Sequence, residues 1–391
     1  MRKTLFLKLI IFFLIISSCE EEKQEIVIST PDPAPWRNAR YDYSNTGYYP
    51  GYGPTEGVIV DTINIGRVYE GTTPVFDKNG NCYIANEEGI AYKIDSTFSI
   101  VWSVDLDTRI SGSASVLDSV VVWVSLDELV LGVSTLDGST LWTIDTGDMS
   151  GNPPIIHSEL KFGVLTTQHG FLFIFDLYGN IIKNIDLGEN NYLDYIPAPA
   201  LDEEGNIYAV TRNDAYCFDM FGNEVWHKTY EEYYHHFGNF VSYYDGKIFY
   251  KTHLEYVSGF YIVSVDATNG KLLWMSNTNH QLHGFNPYYE LTITDDFILT
   301  PNEFVGIEYF DFDGNNDSTT ELEDEPYTSV LIDFNNDIFF GSRFGYFLYS
   351  FNDSSINWSL SIDHYYIYDL AVNDGKIFFV TREHPYLWLI E

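Results

Sequence analysis

Five arginines follow the first strand-like run at Val58: Arg67, Arg109, Arg212, Arg343 and Arg382. Three of them recur in one setting, AVTRND around Arg212, FGSRFG around Arg343 and FVTREH around Arg382. A guanidinium presents a planar fork of donors that matches carboxylates and stacks on aromatic faces. Tyrosine and histidine crowd three stretches: YEEYYHHFGNF with Tyr233, Tyr234 and His235, HQLHGFNPYY with His283, and HYYIYD with Tyr365. Rigid aromatic area with polar tips, combined with arginine forks, suits the binding of a carboxylate, a sugar or a protein partner. The same residues also allow a plainer account, in which the arginines pair with carboxylates such as Asp194, Glu231 or Asp363 of neighbouring repeats and the tyrosines fill space.

Other candidate chemistry is sparser. His280-x-x-His283 and the adjacent His235-His236 could gather a metal, but no carboxylate or cysteine stands at a fixed spacing beside them, so they read as loop histidines. Asp311, Asp313, Asn315 and Asp317 place oxygen at alternate positions, which resembles the start of a calcium loop. The twelfth position, where an EF-hand carries glutamate, is Leu322, and an elongated solvated turn is the simpler expectation. No nucleophile motif, Walker loop or dinucleotide fingerprint occurs, so no catalytic residue is named and the chain is read as not an enzyme. Net charge is −37, from 57 Asp and Glu against 20 Lys and Arg. Nucleic acid and acidic membrane surfaces are therefore poor partners, because neutralising phosphate needs cations.

Arg2, Lys3 and Lys8 flank or interrupt an apolar stretch, LIIFFLII, that is too short to span a bilayer and runs into Ile16-Ser17-Ser18-Cys19. This resembles a bacterial lipoprotein signal, with residues 1–18 removed and Cys19 carrying the acyl chains, each buried methylene adding roughly 0.8 kcal/mol of anchoring. Residues 19–35 then form an acidic tether. Its Glu20-Glu21-Glu22 resembles a tag that exports lipoproteins to the outer face of the outer membrane. With Cys19 so used, Cys82 and Cys217 remain, on different strands of non-adjacent repeats, and are expected to be buried free thiols.

What must position the arginines is a repeat. A short apolar run, an Asp-containing turn, a second apolar run and, in most copies, a tryptophan recur between Val58 and Glu391; Trp102, Trp142, Lys183 and Trp226 stand 40 to 43 residues apart at equivalent points. Four short strands per 40 to 45 residues is the period of a β-propeller blade. With 17% aromatic residues and strand-favouring runs broken by Gly, Asn and Asp turns, the composition is all-β. Eight copies fit. The last, GKIFFVTREHPYLWLIE, stops after its third strand, while GVIVDTINIG at 57–66 is a lone fourth strand. The N-terminal strand is thus predicted to complete the last blade and close the ring, leaving no long unpaired edge. One domain, residues 36–391, is expected.

In such a blade the strands run a to d from the axis outward. The d–a and b–c loops share one rim and the a–b and c–d turns share the other. Arg67 and Arg109 fall in d–a loops, and Arg212, Arg343 and Arg382 where strand b turns toward c, so all five are predicted on one rim with most histidines and the Tyr-rich stretches. The c–d turns, such as LDGST, DMFGN and DATNG, are tight and read as plain connectors.

The segment WRNARYDYSNTGYYP from Trp36, with the GKLLW-type strand endings and the eightfold count, resembles the quinoprotein-like propellers, the PQQ-like repeat proteins. That resemblance implies one of two roles. Quinoprotein dehydrogenases hold pyrroloquinoline quinone and a calcium ion on the axis beside a catalytic Asp and a vicinal disulfide; this chain has no adjacent Cys pair and no residue set that matches. The other branch is similar to the propeller lipoprotein of the outer-membrane barrel assembly machinery, a non-enzymatic scaffold. The expectation is a monomeric ring, lipid-anchored to the outer membrane, without a cofactor, that binds an envelope protein or glycan through its Arg/Tyr/His rim. A quinone- or glycan-dependent enzyme is the alternative.

Overall fold

In a computed structural model the described residues are 36–188, 196–230, 234–236, 240–254, 260–278, 290–302, 306–322, 326–342, 347–352, 355–362, 367–382 and 384–391. Every named element among them is a strand, and the strands form eight antiparallel sheets in sequence order. The blades span 75–105, 115–145, 155–186, 200–229, 234–277, 292–320, 331–361 and 367–390, and the last takes its fourth strand from Ile59–Asn64, which pairs with Tyr386–Ile390. The fold is the eight-bladed propeller that the repeat predicts, closed by its N-terminal strand. Blade 5 departs from the pattern: its second strand, Lys247–Leu254, is long enough to pair with the inner strand Ser242–Tyr244 at one end and with an extra strand, Tyr234–His236, at the other.

Burial follows strand position. Middle strands such as Val120–Val124 and Phe162–Thr166 are buried along their whole length, because neighbouring blades cover both faces. Outer strands such as Ile100–Asp105 are largely exposed and carry the repeat's tryptophan on the side facing the next blade. There each indole Nε1 donates to a backbone carbonyl: Trp102 to Thr135 at 3.3 Å, Trp142 to Leu177 at 2.9 Å, Trp226 to Ala267 at 2.8 Å and Trp274 to Phe312 at 2.9 Å. Trp358 reaches Pro54 at 3.2 Å. The c–d turns are therefore more than connectors, since those of blades 2, 3, 5 and 6 receive the indole of the blade before. Gly179 shows what this demands: its φ is +83°, and a Cβ would lie 2.6 Å from Cγ of Trp142.

The turns hold their shape with one device. In DLYGN, DMFGN and DFDGN the aspartate Oδ1 accepts the amides two and four residues on, and Oδ2 accepts the Asn side chain, as for Asp176, Asp219 and Asp311. The same aspartate recurs at a–b turns, at Asp77 and Asp202.

Before the first blade, residues 36–53 walk around the inner strands in blade order. The carbonyls of Trp36, Arg37, Tyr43, Ser44, Thr46 and Gly51 accept amides of Phe76, Val116, Leu201, Tyr243, Ile293 and Phe334, from blades 1, 2, 4, 5, 6 and 7. The Asn38 side chain takes the Ile156 amide of blade 3, and the Tyr49 hydroxyl takes the Asp374 amide of blade 8. This clasp lies at the a–b end of the ring and touches every blade.

Candidate binding face

The d–a loop of each blade runs beside its b–c loop, and in the first three blades one backbone hydrogen bond latches them: Glu87 N to Arg67 O at 2.7 Å, Leu126 N to Arg109 O at 2.8 Å and Gln168 N to Met149 O at 2.8 Å. The latch places both arginines against acidic b–c loops of their own blade. Arg67 Nε is 3.5 Å from Glu87 Oε1, and Arg109 NH2 is 3.1 Å from Asp127 Oδ1, with both arginine side chains 62% exposed. The Thr108 hydroxyl and then Arg109 hold the Asp127 carboxyl below its usual range. The partners are thus same-blade carboxylates, whereas Asp194, Glu231 and Asp363 lie outside the described residues.

Ring closure adds a second grouping that no local motif shows. The buried Tyr368 hydroxyl of blade 8 is raised by burial and then by Glu70, while the charges of Arg382 and Arg67 oppose the shift. Arg67 and Arg382, from opposite ends of the ring sequence, thereby act electrostatically on one tyrosine. On blade 3, Asp148 takes both the backbone amide and the Nδ1 of His169. Burial works against its charge, but the Thr167 hydroxyl and His169 outweigh it and hold Asp148 low. Arg212 is half-buried at the b–c end of blade 4, beside the Thr211 amide that bonds Asp214 O. Tyr234 and His235 stand on the extra strand of blade 5, with His235 opposite His253. Arg343, Tyr233, His283, Tyr365 and Cys19 lie outside the described residues.

Asp311, Asp313, Asn315 and Asp317 sit in the c–d turn and outer strand of blade 6, on the other rim. Both oxygens of Asp311 are engaged by its own turn, and the Asn315 side chain is the leading cause of its lowered pKa. Among the described residues no group of three or more His, Cys, Asp or Glu stands in metal-binding geometry. Cys82 and Cys217 are free and buried, and burial pushes the Cys217 thiol up to about 12.

At the axis the clasp supplies Arg40, buried to 1% exposure. Its NH2 donates to Leu291 O at 2.8 Å and Thr292 Oγ1 at 3.1 Å, and Asp369, Glu290 and Asp42 share its charge. Asp369, raised by burial, also accepts the Thr73 hydroxyl at 2.8 Å. Sequence reasoning quoted this segment but missed Asn38, Arg40 and Asn45; amide and guanidinium side chains set among tyrosines ahead of the first strand were the available signal. Pyrroloquinoline quinone carries three carboxyl groups, and the described axial residues do not fit it: the Arg40 NH2 is already bonded within the protein, and the charges that act on Arg40 are those of carboxylates.

A family model described as outer membrane protein assembly factor BamB matches residues 51–275, more than half of the chain. The chain belongs to this family. No curated protein matches it in sequence. Among solved structures, BamB from Moraxella catarrhalis aligns over 85% of this BamB-family chain and 97% of its own, at 16% identity and a TM-score of 0.64. Quinohemoprotein alcohol dehydrogenase from Comamonas testosteroni aligns over 91% and 80%, at 11% identity and a TM-score of 0.69. A europium-containing methanol dehydrogenase aligns over 88% and 89%, at 10% identity and 0.65. These likenesses establish the shared propeller fold.

Proposed function

We propose that this BamB-family chain is a non-enzymatic scaffold of the bacterial outer membrane, tethered through acylated Cys19 behind a cleaved 1–18 signal, that holds an envelope protein on its Arg/Tyr/His loop face and serves outer-membrane protein assembly. The observation that carries the reading is the division of the two faces. The clasp begins at Trp36 on the a–b end of blade 1, while the loops of Arg67, Arg109, Arg212 and Arg382 form the opposite face. Family membership supplies the class of process. The exposed arginine pairs suit exchange for a partner's carboxylates, since surface ion pairs contribute only about 0–1 kcal/mol to the fold.

The test is genetic complementation with crosslinking. Deletion is expected to lower outer-membrane β-barrel protein levels. The wild-type gene restores them, and a triple alanine variant at Arg109, Arg212 and Arg382 fails to, while melting like wild type and losing its crosslinked partner. Unchanged barrel-protein levels on deletion would overturn the assembly role, and full rescue by the triple variant would overturn the loop face as the working surface.

A further inference from the structure

On the clasp side of the ring, away from the arginines of the loop face, the clasp and blades 3 to 6 enclose a bowl of about 570 Å³. That is the size of a small-molecule site. Its walls include Tyr43, Tyr243 and Tyr244, and each ring is backed by a second one. Tyr43 stacks on His157 at 4.2 Å, Tyr243 on Tyr208 at 5.4 Å and Tyr244 on Phe312 at 5.3 Å, with interplanar angles of 12°, 5° and 15°. The Tyr244 hydroxyl is also tied to Asp295 Oδ1 at 2.7 Å. The aromatic walls are therefore preorganised, so a ligand need not order them.

Carboxylates outnumber cations in the bowl. Glu159, Glu203 and Asp245 line it from exposed positions, and Asp42, capped by the Thr46 amide and hydroxyl, lies among them; Arg37 is the one Lys or Arg among the lining residues. Glu159 also stands 3.3 Å from Nδ1 of the buried His157. The carboxylates act on the same tyrosines: after burial, Glu159 and Glu203 are the next causes that raise the Tyr43 hydroxyl, and Glu203 is the next for Tyr243. Negative ring faces beside carboxylates are what an organic cation seeks. A bare divalent ion instead needs several oxygens converging on one point, and no such group exists among the described residues.

We infer that this bowl is a binding site for an alkylammonium group, carried by a free polyamine or by the lysine side chain of a peptide. It is independent of partner binding on the loop face. Titration calorimetry of the whole ring in 150 mM NaCl, roughly physiological ionic strength, tests it with two probes, spermidine and acetyl-trilysine amide. Saturable one-to-one binding is expected, and the tighter probe identifies the source. Glu203→Gln/Asp245→Asn should weaken it by about tenfold. Glu88→Gln/Glu224→Gln, which removes the same charge from exposed positions elsewhere, should leave it unchanged. Tyr243→Phe should keep binding and Tyr243→Leu should lose it, because the ring face and not the hydroxyl meets the cation. Equal weakening by the two double variants, or displacement by magnesium at matched ionic strength, would reduce the effect to the ion atmosphere of an acidic protein and overturn the site. So would absence of saturation with both probes.

Discussion

Asn45 is buried completely, and its one amide group ties two blades together: Nδ2 donates to Pro199 O at 3.0 Å and to Val241 O at 2.8 Å. Its backbone carbonyl takes the Ser242 hydroxyl at 2.9 Å. Replacing Asn45 with alanine leaves two buried carbonyls without a donor, each at a cost of about 1–3 kcal/mol. The expected loss, about 2–4 kcal/mol in urea unfolding, contrasts with that of the exposed Arg109→Ala, for which less than about 1 kcal/mol is expected. A small loss at Asn45 would mean that the clasp rests on the ring without holding it. Gly47 belongs to the same device: its φ is +68°, and a Cβ there would lie 2.1 Å from NH2 of Arg40.

At the scale of the element, the unit of construction is an outer strand docked on the next turn. Trp142→Phe keeps most of the ring's area but removes the donor to Leu177 O, a loss of about 1–2 kcal/mol. Gly179→Ala is expected to cost more than about 1 kcal/mol, because it combines an unfavourable positive φ with a clash against the same indole. The two effects should not add in the double variant, where the smaller ring relieves the clash. Thermal melts of the three variants check this, and strict additivity would show that turn and indole act separately. Lys183 replaces tryptophan in blade 3 and lays its methylenes beside Gly222, so the docking position outlasts the aromatic ring.

Across the whole molecule, the buried Asp333 and the exposed turn carboxylates respond to acid in opposite directions. Asp333, 1% exposed, accepts the amide of Gly53 at 2.7 Å and of Asn335 and Asp337 at 2.9 Å, yet burial raises it from 3.8 to about 6. A carboxyl raised in the folded state contributes stability that is present below its unfolded pKa and is lost as pH rises through its folded one. Turn carboxylates such as Asp95, Asp137 and Asp311 are lowered, chiefly by side-chain hydrogen bonds from Thr97, Ser139 and Asn315, so their contribution is present above 3.8 and lost as pH falls. Melting at pH 4 to 7 should therefore show Asp333→Asn gaining on wild type as pH rises. Asp311→Asn should lose ground as pH rises from below 3.8. A pH-independent difference for Asp333→Asn would mean that its carboxyl titrates normally.

Much of this ring was legible in one dimension. Blade count, strand order, closure by Ile59–Asn64 and the free thiols Cys82 and Cys217 follow from a repeat, because each blade is built from local hairpins whose turns and apolar runs are written contiguously. The shared rim of Arg67 and Arg109 followed as well, since blade topology alone carries the d–a and b–c loops to one side. Other features required the closed ring. That Trp36 to Gly53 clasps all eight blades, that Arg40 donates to Leu291 and Thr292, and that Arg67 and Arg382 act on Tyr368 depend on the approach of segments far apart in sequence. So does the tyrosine-walled bowl. No periodic pattern encodes such contacts, because they arise only when the last blade accepts the first strand and brings the ends of the sequence to the same place.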